Sequence, residues 1–274
     1  MKRLALALLV LLCVPVARAE AQRPPDTVYL EELTWEEVKA SINGGKTSVI
    51  IATAGTEQKG PHMVMGEHKF ILEYTTNQIA RALGNALVAP IITYVPEGSW
   101  DPPRGHMRMA GTITLPNDRF MVLLEHTAKS LKAGGFKDIN FIGDSGGNQN
   151  GMRDVAAKLN QEWQESVNRA HFIGDYYEKS HADGAKYLVA NAGVPENEAN
   201  GHAGVMDTSE MMFVNANHVR LNKRAPGGGF EGSGVTGDPT KATAALGEAI
   251  LKIKIDNAVA QIKASISARL EERP

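Results

Sequence analysis

Apolar runs at residues 48–53, 87–94, 138–143 and 170–174 alternate with segments whose apolar residues recur at helical spacing. This alternation constrains the fold more than any other feature of the chain. Strands separated by helices cannot meet through tight hairpins; they pair in parallel, and each crossover lays a helix on one face of the sheet. The sequence therefore predicts an α/β fold in three layers, α/β/α, around a mainly parallel central sheet. Residues 117–134 show the helical layer. Phe120, Leu123, Leu124, Thr127, Ala128 and Leu131 form one stripe, Asn117 or Asp118 can cap the start, and Gly134-Gly135 stops it. Near the C-terminus Asp238 reads as an N-cap with Pro239 at the first helical position, opening a long helix that turns Leu246, Ile250 and Ile253 to the core.

Met1-Lys2-Arg3 gives a positive start, residues 4–16 are almost wholly apolar, and Ala17-Arg18-Ala19 or Ala19-Glu20-Ala21 offers a small-x-small cleavage site. Residues 1–21 are expected to be a secretory signal peptide and residues 22–274 a single domain. A membrane-spanning helix needs about 20 apolar residues, more than this stretch supplies, so no membrane attachment is expected after cleavage. The expected location is exported, periplasmic or secreted. The one cysteine, Cys13, lies inside the leader, which leaves the mature chain without disulfide or thiolate chemistry. With 29 basic and 31 acidic residues there is no field of one sign, and a nucleic-acid or anionic-membrane partner lacks its usual electrostatic footprint. The glycine-rich stretch from Pro226 to Gly237 is expected to be a flexible surface loop.

The polar run Gly55 to His68 follows the strand Val49-Ile50-Ile51-Ala52 directly, and loops at the carboxyl ends of strands are where α/β proteins build sites. Glu57, His62, Glu67 and His68 supply oxygen and imidazole donors dense enough to hold a divalent cation such as zinc or manganese. Other chemistries are also spelled in the chain. His62-Met63-x-Met65 and His106-Met107-x-Met109 pair imidazole with thioether, a set that suits copper, although methionine also packs apolar gaps. Ser145 in Gly143-Asp144-Ser145-Gly146-Gly147 matches the G-x-S-x-G elbow of serine hydrolases, with Asp175 or Asp183 and then His202 downstream.

Several motifs in order resemble the creatininase family of metal-dependent amidohydrolases. Glu57-Gln58-x-Gly60-Pro61-His62 is similar to the family's E-Q-H-G-P-H, and His106-Met107-Arg108-Met109-Ala110-Gly111-Thr112 to its H-x-x-F-P-G-T. Gly143-Asp144-Ser145-Gly146-Gly147-Asn148 is similar to N-G-H-G-G-N, and His202-Ala203-Gly204-Val205-Met206-Asp207-Thr208-Ser209 to H-A-G-x-x-E-T-S. The opening Glu32-Leu33-Thr34-Trp35 and the late Gly237-Asp238-Pro239 fit as well. The resemblance implies the same three-layer fold, a homo-oligomer, and two metal ions bridged by a carboxylate that polarise an amide carbonyl and supply a hydroxide.

The chain departs from that pattern where the ions would sit. Glu57 keeps the first metal-binding glutamate, but a ligand histidine is Lys59, the bridging aspartate is His68, the histidine of N-G-H-G-G-N is Ser145, and the acid of H-A-G-x-x-E is Asp207. A neutral imidazole nitrogen has one lone pair and cannot bridge two ions, and an ammonium has only donors. If Lys59 points inward it repels a second cation or stands in its place. One ion per chain, zinc or manganese, is therefore expected rather than two, on Glu57 and His68 with Asp144 or Asp207.

His202 matches the family histidine placed beside the substrate and is expected, with Asp207, to carry the proton chemistry. Lys59, His62, His106, Ser145 and Asn148 are expected around the substrate, with His106 equally readable as a structural cap. Trp100, Tyr176 and Tyr177 are candidates for shaping specificity, whereas His126, His171, His181 and His218 read as ordinary surface or core histidines. The expected activity is hydrolysis of the C–N bond of a small amide, cyclic amides included. The alternative is a creatininase-fold protein that has lost its metals and binds a small molecule without turning it over.

Overall fold

A computed structural model describes residues 25–271, so the expected leader at 1–21 lies outside the described residues. The elements run α1 (Trp35–Asn43), β1 (Ser48–Thr53), α2 (Glu67–Leu83), β2 (Ala86–Val88), β3 (Gly98–Trp100), β4 (Pro103–Gly105), α3 (Asn117–Ala133), β5 (Asp138–Gly143), α4 (Gln149–Glu162), β6 (Arg169–Phe172), α5 (Glu178–Ala192), α6 (Val205–Asn215) and α7 (Ala244–Glu271). Strands β2, β1, β5 and β6 pair in that order, all parallel, while β3 and β4 form a small antiparallel hairpin beside them.

Alternation along the strands divides the core into two layers. Val49, Ile51, Ile139 and Phe141 face one side, against Phe120, Leu124 and Ala128 of α3 and Met152, Val155 and Leu159 of α4. Ile50, Ala52 and Ile142 face the other, against Leu72 and Ile79 of α2 and Ala258 and Ile262 of α7. This is the expected α/β/α arrangement. No helix among the described residues is long and apolar enough to cross a membrane.

Several local expectations are corrected. The run at 87–94 yields a strand only over Ala86–Val88, because Pro90 has no N–H for the ladder; single bonds from Ala89 to Ile50 and from Ile92 to Ala52 continue the edge. Leu123 points outward from α3, and the N-cap position is Pro116, with neither Asn117 nor Asp118 capping it. Asp238 caps a separate 3-10 turn, Pro239–Lys241, through the Thr240 N–H. The backbone then extends at Ala242, and the Thr243 hydroxyl accepts the Leu246 N–H at the start of α7. On α7 the buried stripe is Gly247, Ile250, Leu251, Lys254, Ala258 and Ile262, with Leu246 and Ile253 only half-buried.

From β1 the chain crosses to β2 on one side, and β5 and β6 lie on the other. The carboxyl ends of β1 and β5 therefore flank the switch point at which open sheets of this kind bind ligands.

Candidate active site

The loop after β1 carries Glu57 and Lys59 into that switch point, and the first turn of α2 adds Glu67 and His68. Asp144 follows β5 directly, and α6 brings Asp207 and Glu210. These line a cleft of about 650 Å³ together with Glu97, His106, Ser145, Tyr177, His181, His202 and Lys254.

Lys59 points inward. Its side chain is 2% exposed, and Nζ lies 2.9 Å from Asp207 Oδ2, 3.1 Å from Glu67 Oε2 and 3.3 Å from Glu57 Oε1. Burial works against an ammonium here, but Asp207, Glu67 and Glu57 outweigh it and hold the amine well above its usual range. A second buried ammonium, Lys254, reaches in from α7 to Asp144 Oδ1 at 2.9 Å and Glu210 Oε2 at 2.8 Å. Between the lysines His68 is tied at both ring nitrogens: Nε2 is 2.9 Å from Glu57 Oε1, and Nδ1 is 3.0 Å from Asp144 Oδ2 and 3.1 Å from Glu67 Oε2. Burial and Lys59 oppose its charge, but Glu67, Glu57 and the bond to Asp144 raise it well above 6.5, so His68 is an imidazolium.

The carboxyl groups divide accordingly. Burial alone would raise all of them; the lysines and His68 reverse this for Glu57, Asp144 and Asp207, which are held well below the carboxylate range. Burial prevails at Glu67, which is raised despite Lys59 and His68, at Glu210, raised to about 8, and at Glu97, where burial and the neighbouring Glu57 charge raise it to about 10. Glu97 packs its carboxyl against the α-carbon of Gly55, whose φ of +140° a side chain would rarely adopt.

His202 is held by a different device. Its Nε2 N–H donates to the Gln58 carbonyl at 2.9 Å, which leaves Nδ1 as a lone pair facing Glu57 Oε1 at 3.8 Å. Burial and then Lys59 push its pKa down to about 4, so the ring is neutral at physiological pH. The following residue, Ala203, sits in the left-handed region at φ 51° and gives its N–H to Asp207 Oδ2 at 2.9 Å. His106 places Nε2 3.1 Å from Glu57 Oε2.

Of the residues expected at the site, Glu57, Lys59, His68, His106, Asp144, Ser145, His202 and Asp207 do meet in the cleft. His62 and Asn148 do not line it. His62 is buried behind the loop with Nε2 on the Thr208 hydroxyl at 2.9 Å, and Asn148 pins the end of β1 through the Thr53 hydroxyl and the Ala54 carbonyl. Tyr176 is a core residue bonded to Thr75, so of the proposed specificity residues only Tyr177 lines the cleft, while Trp100 stays exposed on the hairpin. His181, read as ordinary, lines the cleft wall. Lys254, Glu210 and Glu97 were not singled out in the sequence. A lysine in the apolar stripe of α7 was the available signal for the first; Glu97, between Pro96 and Gly98, offers none. The glycine-rich stretch is packed onto the site: Phe230 lies against His106 and His202, Arg108 pairs with Glu231, Gly234 accepts from Gln58, and Thr236 donates to the His202 carbonyl.

Fold and cleft together define the class: an α/β/α protein with its ionisable groups gathered at the switch point of a parallel sheet. The chain belongs to the creatininase family, whose model, described as creatinine amidohydrolase, matches residues 31–262. A mycofactocin precursor peptide peptidase of Mycobacterium ulcerans is 25% identical over 248 residues, spanning 78% of this chain and 84% of that protein. One of Mycobacterium tuberculosis is 25% identical over 241 residues, with the same coverage. Among solved structures, a creatinine amidohydrolase superposes with a TM-score of 0.72 at 19% identity, covering 88% of this chain and 99% of that one. A manganese creatininase superposes at 0.71 with the same identity and coverage, and a mutant creatininase of Zn-Zn type at 0.70 with 20% identity.

Those creatininases bind manganese or zinc, so the donor set here is tested against such ions. A carboxylate-bridged pair of ions of the kind the resemblance implies does not fit, because the ammonium of Lys59 lies against Glu57 and Asp207, two of the acids such a pair would use, and against Glu67. A single ion has two candidate groups among the described residues, each with ligand atoms within 4.8 Å of one another: Glu67, His68 and Asp144, and Glu57, His106 and His202.

Proposed function

We propose that the protein is an exported, single-ion hydrolase of the C–N bond of a small amide. Export is carried by the N-terminal sequence pattern alone. The observation that carries the single-ion reading is Lys59, fixed 2.9–3.3 Å from Asp207, Glu67 and Glu57, so that one of the family's two cations becomes part of the chain. Amide C–N cleavage is common to the names of its relatives, one a creatinine amidohydrolase and the other a peptide peptidase. A homo-oligomer is part of this proposal, on the family resemblance.

A bound divalent ion would polarise the amide carbonyl and bring the pKa of its water towards about 7. The remaining work falls to the chain. Lys59 and the Ala203 N–H fix one oxygen of Asp207, whose side chain is 15% exposed and faces the cleft. The Tyr177 phenol, pushed up to about 12 chiefly by burial, stays protonated as a donor, and Ser145 lines the same cleft. His202 presents an acceptor lone pair at Nδ1.

A specific observation favours a second reading, a binding protein without turnover: Lys59, Lys254 and protonated His68 already balance Glu57, Asp144 and Asp207. Metal content of the purified mature protein, followed by a screen of cyclic and linear amides with the loaded protein, separates the two. About one ion per chain with turnover supports the hydrolase. Ligand binding without ion or turnover supports the alternative.

A further inference from the structure

The two groups able to hold an ion are not equivalent. In the group of Glu67, His68 and Asp144 every donor already has a cation or a proton: Lys59 on Glu67 at 3.1 Å, Lys254 on Asp144 at 2.9 Å, and carboxylates at both nitrogens of His68. In the group of Glu57, His106 and His202 only Glu57 has cations against it, His68 at 2.9 Å and Lys59 at 3.3 Å on Oε1. His202 gives its outer N–H to a backbone carbonyl and turns a bare Nδ1 towards Glu57 Oε1 at 3.8 Å. At 3.8 Å the two atoms are beyond hydrogen-bond distance, so the Nδ1 lone pair is not engaged by Glu57. An outer N–H on a carbonyl with the inner nitrogen free is also how ligand histidines are oriented.

His106 is compatible with the same role. Its Nε2 is 3.1 Å from Glu57 Oε2, and its Nδ1 is 3.4 Å from Gln58 Nε2, too long for a strong bond. Gln58 accepts the Gly60 N–H at 2.9 Å and donates to the Gly234 carbonyl at 3.2 Å. Its Nε2 also lies 3.1 Å from His202 Nε2, but the shorter contact of that ring nitrogen is to the Gln58 carbonyl, which can only accept and so assigns the N–H. The Glu57 carboxylate can only accept, so His106 Nε2 carries the proton in the ion-free protein, and an ion bound between the two would take that proton's place. The two rings stand 4.7 Å apart, and Phe230 is set edge-on to both, at 4.8 Å and 5.7 Å.

We propose that Glu57, His106 and His202 form the site of one divalent ion, zinc or a similar borderline cation, at the mouth of the cleft. Two histidines and one carboxylate are a set that catalytic zinc uses, with further positions left for water and substrate. The proposal rests on the single-ion hydrolase reading and deepens it. Only Glu57 among the three is a metal-ligand position in the family resemblance; the ion is displaced outward from the place that Lys59 fills. His202 is then a ligand and not a proton carrier, and the exposed edge of Asp207, which lines the same cleft, is left as the base.

The test uses the purified mature protein dialysed against a chelator and titrated with zinc chloride, with bound metal counted by mass spectrometry and affinity by calorimetry. Wild type is expected to take up one zinc per chain. His106→Ala and His202→Ala should each weaken binding at least tenfold, and Glu67→Gln should change it less than twofold. One zinc per chain that Glu67→Gln abolishes and His106→Ala leaves intact would overturn this placement while preserving the single-ion reading. No zinc and no manganese bound by wild type would remove both. Since a histidine variant can fail to fold, the cobalt-loaded wild type provides a second readout. Two strongly shifted, exchangeable imidazole N–H resonances are expected in its NMR spectrum, and one or none would refute a two-histidine site.

Discussion

Replacing Lys59 with methionine removes the ammonium from its cage and keeps most of its volume. Glu57 and Glu67 retain His68 within 2.9 and 3.1 Å, whereas Asp207 is left with only the Ala203 N–H on its inner oxygen. The loss is then essentially one buried carboxylate without a counter-charge, for which breaking a buried pair costs about 3–5 kcal/mol. Against a total stability of about 5–15 kcal/mol this is a large fraction. At about 2–4 °C per kcal/mol for a domain of this size, Tm should fall by roughly 6–20 °C. The sign of the pH dependence follows from Asp207. Its pKa is depressed in the folded wild type, so its stabilising contribution is present above the usual 3.8 and lost as pH falls through the folded value. The variant lacks that contribution, so the gap to wild type should be widest at pH 7 and should close as the solution is acidified. Lys59→Met combined with Asp207→Asn should recover most of the loss, a coupling of about 2–3 kcal/mol. Urea unfolding at pH 7 and pH 3 measures all of this. A single-variant cost below about 1 kcal/mol, or a double variant no more stable than the single, would refute Lys59 as the counter-charge of this cluster.

Glu210, held protonated up to about 8, gives stability that is present below its ordinary 4.5 and lost as pH rises through 8; Glu210→Gln should flatten that decline, as read from unfolding free energies between pH 5 and 9. A methyl added at Gly247 would overlap the Ser209 carbonyl where α7 crosses α6, so Gly247→Ala should cost about 1–3 kcal/mol in denaturation and move Lys254 away from Glu210. Lys59→His restores a ligand type in place of an ammonium and should raise metal content above that of wild type by mass spectrometry; unchanged content would count against the lysine having replaced an ion.

Strand positions are legible in the sequence because β1 and β5 are buried along their whole length, Ser48–Thr53 and Asp138–Gly143, and so are mostly apolar; the buried Asn140 that interrupts β5 is satisfied by the Ser48 hydroxyl of β1. Motif spacing located the Glu57 loop, the Asp144 turn and His202. What it missed depends on distance along the chain. Lys254 is 110 residues from Asp144 and 44 from Glu210, and local periodicity marks its buried face without naming its partners. His62 and His68 lie in the same motif, yet one faces Thr208 behind the loop and the other the cleft, a difference set by the turn at Gly60 to Gly66 that spacing does not encode. Asp238 was correctly recognised as a cap but assigned to the wrong helix, because the short turn it closes competes with the start of α7 at Thr243.

Lys254 also has a consequence for how the molecule is made. Synthesis proceeds from the N-terminus, so Asp144 and Glu210 leave the ribosome well before the helix that neutralises one of them and shares its proton with the other. Until α7 docks, the carboxyl ends of β1 and β5 are an open acidic basin to which free cations and solvent have access. Docking of the last helix supplies the ammonium on that side of the cleft, so a chain stopped short of Lys254 would leave Asp144 and Glu210 without it.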